Sequence, residues 1–260
     1  MFRTISTLAL LLFITACDSD DNGGVTVIEP DVIDRKAQTR SFNFLEGPNA
    51  QSPVSYIDFK AFVDNESAEQ LLGTNLLYED STAGQLSWSQ IVTSNTTPEP
   101  EPVPVRYQVL DTNDQSVLAE TEQSIESDQE YWLIANGVIN NNAILQQFEV
   151  VRPALDSDQV SLRFYQGDGR NPSRRIDVYI DQELQVSNIA WSEMSQTLSL
   201  PATVINSDVD IVESGTTPNF SDPSGHLWHS NSLDLGSGTH HLLVFFNDLS
   251  GRSSLYVFGF

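Results

Sequence analysis

All four histidines of the 260-residue chain lie between positions 226 and 241. His226 and His229 are spaced i, i+3, which on a helix would turn two imidazoles toward one zinc ion. The surrounding "DPSGHLWHSNS" carries Pro, Gly and Ser, so a helix is not expected there. His240 and His241 are adjacent and would point to opposite faces of a strand. A zinc site in this region would draw on His226, His229, one of His240 and His241, and Asp222 or Asp234. It would open a second reading, a metal-dependent hydrolase. The competing reading makes these histidines polar loop and strand-start residues, with no metal and no cofactor.

Other residue types offer less chemistry. Arg170, Arg174 and Arg175 in "DGRNPSRR" form the one basic cluster of an acidic chain. Guanidinium groups suit an anionic glycan or a partner's carboxylates; the alternative is a solvated loop that pairs with neighbouring acids. Trp228 sits among polar residues and is the tryptophan expected to be exposed, where it could stack on a sugar in an adhesin-like role. Asp208 and Asp210 share one face of a strand, which allows either a cation site or a plain exposed face. There is no G-x-S-x-G elbow and no G-x-x-x-x-G-K phosphate loop. No catalytic residue is expected. Asp18, Asp20, Asn22, Gly23 and Glu29 match a calcium-loop pattern in full. A calcium loop of that kind needs a helix on each side. Here β-branched "VTVI" and Pro30 occupy the start of the outgoing one, and both oppose helix formation.

The residues before that pattern have a clearer meaning. Arg3 gives a short positive region and Leu8–Ile14 an apolar core too short to span a bilayer. The sequence "ITAC" that follows resembles the lipobox of bacterial lipoproteins. The resemblance implies a signal peptide over 1–16, removal before Cys17, and lipid on the Cys17 sulfur. Cys17 is the only cysteine, so no internal disulfide and no Cys-based metal site can form. Residues 17–37 read as an acidic, flexible tether. The expected location is the cell envelope, on the periplasmic side. Asp18 resembles an inner-membrane retention signal, with the outer membrane left open. The chain has 36 acidic and 12 basic side chains, a net charge of −24. Such a surface repels nucleic acid phosphates, which excludes DNA and RNA as partners.

From Arg40 onward short β-branched or alternating runs are separated by Gly, Pro, Asn and Asp, the pattern of an all-β sandwich. "DNESAEQLLGTNL" is expected to hold one helical turn at most. The chain also repeats itself in order. "SFNFLEG" at 41–47 answers "SLRFYQG" at 161–167, Ile57–Asp58 answers Ile176–Asp177, and "NLLY" at 75–78 answers "NIAW" at 188–191. Leu86–Ser87 answers Leu198–Ser199, "VRYQV" at 105–109 answers "VDIVE" at 209–213, and "EYWLIANG" at 130–137 answers "HHLLVFFN" at 240–247. Asp58 and Asp177, being equivalent, read as structural. Two domains follow, 38–152 and 156–260, joined by "RPALDSD". A fragment from about residue 155 is expected to fold alone. The Pro-rich "TTPEPEPVPV" at 96–105 falls inside the first domain as an inter-strand loop.

The second half, around "LRFYQGDGRNPSRRIDVYIDQELQVSNIAW", resembles the bacterial envelope module called domain of unknown function 4397. Asp177-Val178-Tyr179-Ile180-Asp181 stands where that module has an acid-led D-V-Y-V-D strand. The first half matches more loosely, with Asp58-Phe59-Lys60-Ala61-Phe62 in its place. The resemblance implies tandem Ig-like or transthyretin-like antiparallel β-sandwiches on a lipoprotein, and no activity. The expectation is therefore a lipid-anchored envelope protein with a binding or structural role. It attaches to the membrane through its N-terminal lipid and meets an envelope protein or glycan through loops of the second domain. The oligomeric state is left open.

Overall fold

The computed structural model describes residues 31–48, 56–64, 68–92, 102–201, 207–233, 235–248 and 250–260. Cys17 with its leader, the calcium-type pattern, the part of the Pro-rich run up to residue 101, and Asp234 lie outside them. The first half contributes β1 (Asp31–Glu46), β2 (Ile57–Val63), β3 (Gln70–Leu76), β4 (Ser81–Val92), β5 (Val103–Asp111), β6 (Val117–Ile125), β7 (Glu130–Val138) and β8 (Ile144–Glu149). The second contributes β9 (Gln159–Gln166), β10 (Ile176–Ile180), β11 (Glu183–Ile189), β12 (Leu198–Pro201), β13 (Ser207–Glu213), β14 (Trp228–Leu233), β15 (His240–Asn247) and β16 (Ser253–Gly259). The chain is all-β. Among the described residues the one helical piece is a 3-10 turn at Pro223–Gly225. The segment around Leu71, expected to hold at most a helical turn, is strand β3.

The strands form four sheets, in the orders β4-β1-β7-β8, β3-β2-β5-β6, β12-β9-β15-β16 and β11-β10-β13-β14. Adding eight to each strand number converts the first pair of sheets into the second, so the repeat is one topology used twice. The joint expected at 152–158 separates β8 from β9. The first strand begins at Asp31 rather than at 38, because β4 continues antiparallel beside it from Ser81 to Val92. The sheets are not purely antiparallel: β1 runs parallel to β7, and β9 parallel to β15.

Cross-strand register sharpens the repeat. Asp58 accepts the Asn75 N–H at 3.0 Å, and Asp177 accepts the Asn188 N–H at 2.6 Å. Both asparagines have positive φ, 53° and 59°, a conformation Asn tolerates. Asn43 Oδ1 takes the N–H of Leu45, and Gln166 Oε1 takes that of Asp168. Asn43 is thus equivalent to Gln166, three residues away from the alignment on "SFNFLEG" and "SLRFYQG". Ile57 pairs with Asp111 as Ile176 pairs with Glu213, which makes Tyr107, not Val105, the counterpart of Val209. Leu86 likewise matches Leu200, since it pairs with Ala37 as Leu200 pairs with Val160. Loop length does not report these local shifts.

Each half closes over its own core. Phe59, Tyr107, Leu133 and Leu86 lie in the first; Val178, Ile211, Leu243 and Phe245 lie in the second. A third core joins the halves: Phe42, Phe44, Trp132 and Ile134 pack with Tyr165, Leu242, Val244 and Phe246. Aromatic pairs line it, among them Phe42–Phe258 and Phe44–Phe246 at 5.2 Å, and Trp132–Phe260 at 4.7 Å. The sheets holding β7 and β15 are therefore covered on both faces. That is why "YWLIANGV" and "LLVFFN" are buried continuously instead of alternating. A fragment beginning near 155 would expose one whole face of this core, so the expectation that it folds alone does not follow from the structure.

Candidate functional site

The second half carries a side-chain cluster on its outer sheet. Asp210 stands in the middle of β13 and is directly opposite His229 on β14. The 3-10 turn at Pro223–Gly225, capped by the Asp222 side chain on the Ser224 N–H, delivers His226 two residues before β14. The Leu227 N–H bonds to the Ile211 carbonyl and fixes that entry. Both imidazoles then converge on one carboxylate oxygen. His226 Nδ1 lies 2.7 Å and His229 Nδ1 2.6 Å from Asp210 Oδ1. A carboxylate can only accept, so each Nδ1 carries its proton in this arrangement.

The cluster is graded from inside to outside. The side chains of Asp210 and His226 are 3 % exposed, and that of His229 is 30 % exposed. Phe220 packs its ring edge against His226, and Tyr179 packs on Phe220. Nε2 of His226 is buried without a hydrogen-bond partner. A cleft of about 220 Å³ adjoins the cluster, lined by His226, Asp222, Glu213 and Asn219 among others.

The other residues singled out in the sequence fall elsewhere. His240 and His241 open β15, in the other sheet of the sandwich. His240 Nδ1 sits 2.9 Å from the Ser161 hydroxyl. Ser161 is buried and directly opposite His240, so the contact ties β9 to its parallel neighbour β15. Burial, aided by the Arg152 guanidinium, holds the His240 imidazole below its ordinary range. Asp222 is spent on its cap, with its carboxyl held low by the Ser224 hydroxyl and N–H. The Asp208 N–H donates to Asp181. Thus His226 and His229 come together, without His240 or His241, and their carboxylate is Asp210.

The arginines are committed to internal structure. Arg170 forms an ion pair with buried Glu46 of the first half and donates to the Gly47 carbonyl at 3.2 Å. Arg174 pairs at 2.8 Å with Asp168, which is fully buried and also accepts from Asn247 and Asn171. Arg175 donates to the Asn188 carbonyl at 3.0 Å. Arg170 and Arg174 are held by buried acids, and Arg175 by a carbonyl of the outer sheet. Burial pushes the Glu46 carboxyl up to about 7, despite the Arg170 guanidinium beside it. Trp228 is half-buried and packs on the second core, because strand β14 turns its ring inward; it is no free platform.

Sequence reasoning did not connect Asp210 to the histidines. They are sixteen and nineteen positions apart in the chain. Only the pairing of β13 with β14, across an irregular loop, makes them neighbours.

No protein-family model matches the chain, and no curated protein matches it. Solved structures to which it is similar include a family 26 carbohydrate-binding module from Eubacterium rectale, determined with maltoheptaose. That match has 10 % identity and a TM-score of 0.22, covering 85 % of this chain and 96 % of the other. A fimbrial assembly protein from Parabacteroides distasonis matches at 9 % identity and TM-score 0.19, covering 87 % and 95 %. A tip fimbrial protein from Porphyromonas gingivalis matches at 8 % identity and TM-score 0.20, covering 88 % and 100 %. At TM-scores this low the likeness carries no argument about fold or activity.

Proposed function

We propose that the chain is a non-catalytic protein of the bacterial cell envelope, anchored by lipid on Cys17, with a binding or structural role. The observation that carries the structural part is the third core. Two β-sandwiches are held face to face by Phe42, Phe44, Trp132, Tyr165, Val244 and Phe246, with Glu46–Arg170 at the rim. Such a body presents its outer sheets at a fixed spacing, which suits a display or spacer element. The "ITAC" box and the acidic tether support the anchor and its periplasmic side, with Asp18 favouring the inner membrane. The likeness to domain of unknown function 4397 belongs to the same reading. An envelope protein or a glycan is the partner, met through the outer sheet and the 214–227 loop of the second half rather than through the arginines.

The test is fractionation of the full chain in a bacterial host that processes lipoproteins. The native chain should incorporate labelled fatty acid and partition with membranes. Cys17→Ser should remain unprocessed or become soluble, with no label. Unchanged membrane association of Cys17→Ser would remove the lipoprotein reading.

A further inference from the structure

We propose that Asp210, His226 and His229 form a binding site for one divalent transition-metal ion, with zinc the best-fitting ion. The proposal does not depend on the lipid anchor. Two imidazole nitrogens and one carboxylate oxygen converge from three separate places, namely β13, the exit of the 3-10 turn, and β14. The three candidate ligand atoms lie within 4.8 Å of one another. Zinc bonds of about 2.0–2.1 Å place tetrahedral ligand atoms roughly 3.3 Å apart. The Nδ1–Oδ1 separations of 2.7 and 2.6 Å must therefore widen by well under an ångström. Rotation of His229, the most exposed of the three, supplies part of that movement.

The donor set selects the ion class. Two imidazoles and a single carboxylate suit zinc and its first-row neighbours, whereas calcium and magnesium prefer oxygen-rich shells. A neutral pair of histidines and one carboxylate leave a bound Zn²⁺ with one unit of positive charge. The chain's net charge of −24 favours that result and attracts cations to the surface. Three protein ligands leave a fourth position, which on the His229 side faces solvent. The alternative, a purely structural hydrogen-bond cluster, places two imidazole donors on one carboxylate oxygen, where a metal ion would separate them.

The test uses the full purified chain, stripped with chelator, dialysed, and equilibrated with ZnCl₂. Bound metal is measured by elemental analysis and titration calorimetry. The expected result is one zinc per chain. Co²⁺ in its place should show the visible absorption of a four- or five-coordinate ion. His229→Ala should weaken zinc at least about tenfold, and its side chain is exposed enough for the fold to tolerate the change. His240→Ala, in the other sheet, should leave zinc unchanged. Absence of stoichiometric zinc overturns the site, as does binding that survives in His229→Ala. Zinc lost in His240→Ala but retained in His229→Ala would also overturn it.

Discussion

Gln108 and Asp210 occupy the same position in the two halves. Lys60 pairs with Gln108 as Tyr179 pairs with Asp210, and each then faces a polar partner across the next strand: Glu120 for Gln108, His229 for Asp210. In the first half the pair is exposed. Gln108 Nε2 donates to Glu120 Oε2, which also meets Arg106, and β5 reaches β6 through a tight turn at 112–116. In the second half the connection runs from 214 to 227 and folds back, bringing Phe220 and His226 over Asp210. One topology thus yields a solvated polar ladder in one place and, in the other, a His–Asp–His cluster whose Asp210 and His226 side chains are buried while His229 reaches solvent. The covering loop makes the difference, by adding a second imidazole and removing water.

A second contrast lies at the joint. Glu46 and Gly169 are equivalent, since Leu45 and Asp168 occupy the preceding matched position. In one half that position carries a buried acid. In the other it carries a glycine whose absent Cβ would lie 2.5 Å from the Gly137 Cα. Both positions lie where the halves meet: Glu46 pairs with Arg170 of the second half, and Gly169 packs against Gly137 of the first.

The largest expected effect tests whether the halves are one unit. Trp132→Ala should cost about 3–5 kcal/mol, since Trp132 is fully buried between Phe42 and Phe260. Urea unfolding probed in both halves should shift together; a second half that unfolds unchanged would separate them. Next, Glu46 binds a proton more readily folded than unfolded, because its carboxyl stands at about 7 rather than 4.5. Stability should fall as pH rises from about 4.5 to about 7, by about 3 kcal/mol, and then level off. Glu46→Gln should flatten that profile in a pH series of melts. Third, Asp58→Ala and Asp177→Ala remove matched acceptors and should cost about 1.5–3 kcal/mol each. Burial raises the Asp58 carboxyl, but the Asn75 N–H, Gln115 and Thr112 outweigh it and hold it low. Its share of stability is therefore present at neutral pH and lost as pH falls through its folded value. A cost confined to one half would break the equivalence. Smallest, Gln108→Ala should change stability by less than about 0.5 kcal/mol. Asp210→Ala, which strands His226 in the interior, should exceed it clearly in the same denaturation assay.

Much of the architecture was legible along the chain. Short β-branched runs, turn residues and an ordered self-similarity determine two sandwiches with a joint near 152–158. Asp58 and Asp177 are recognisable as structural from their matched places. "EYWLIANG" and "HHLLVFFN" are legible as strands, but their burial on both faces, and with it the third core, is seen only in the folded chain. Three other matters needed the folded chain. Repeat register within β4 and β5 is set by hydrogen-bond ladders, and a slip of two residues leaves the apolar pattern unchanged; the three-residue slip in β1 is hidden because residues 41–46 are buried on both faces. Arg170 looks free in sequence because its acid, Glu46, arrives from the other half, whereas Arg174 finds Asp168 six residues away and Arg175 a backbone carbonyl. Asp210 joins His226 and His229 only through β13–β14 pairing under an irregular loop. Local residue types determine which strands form; long-range pairing and loop cover decide which polar groups meet and which lose water.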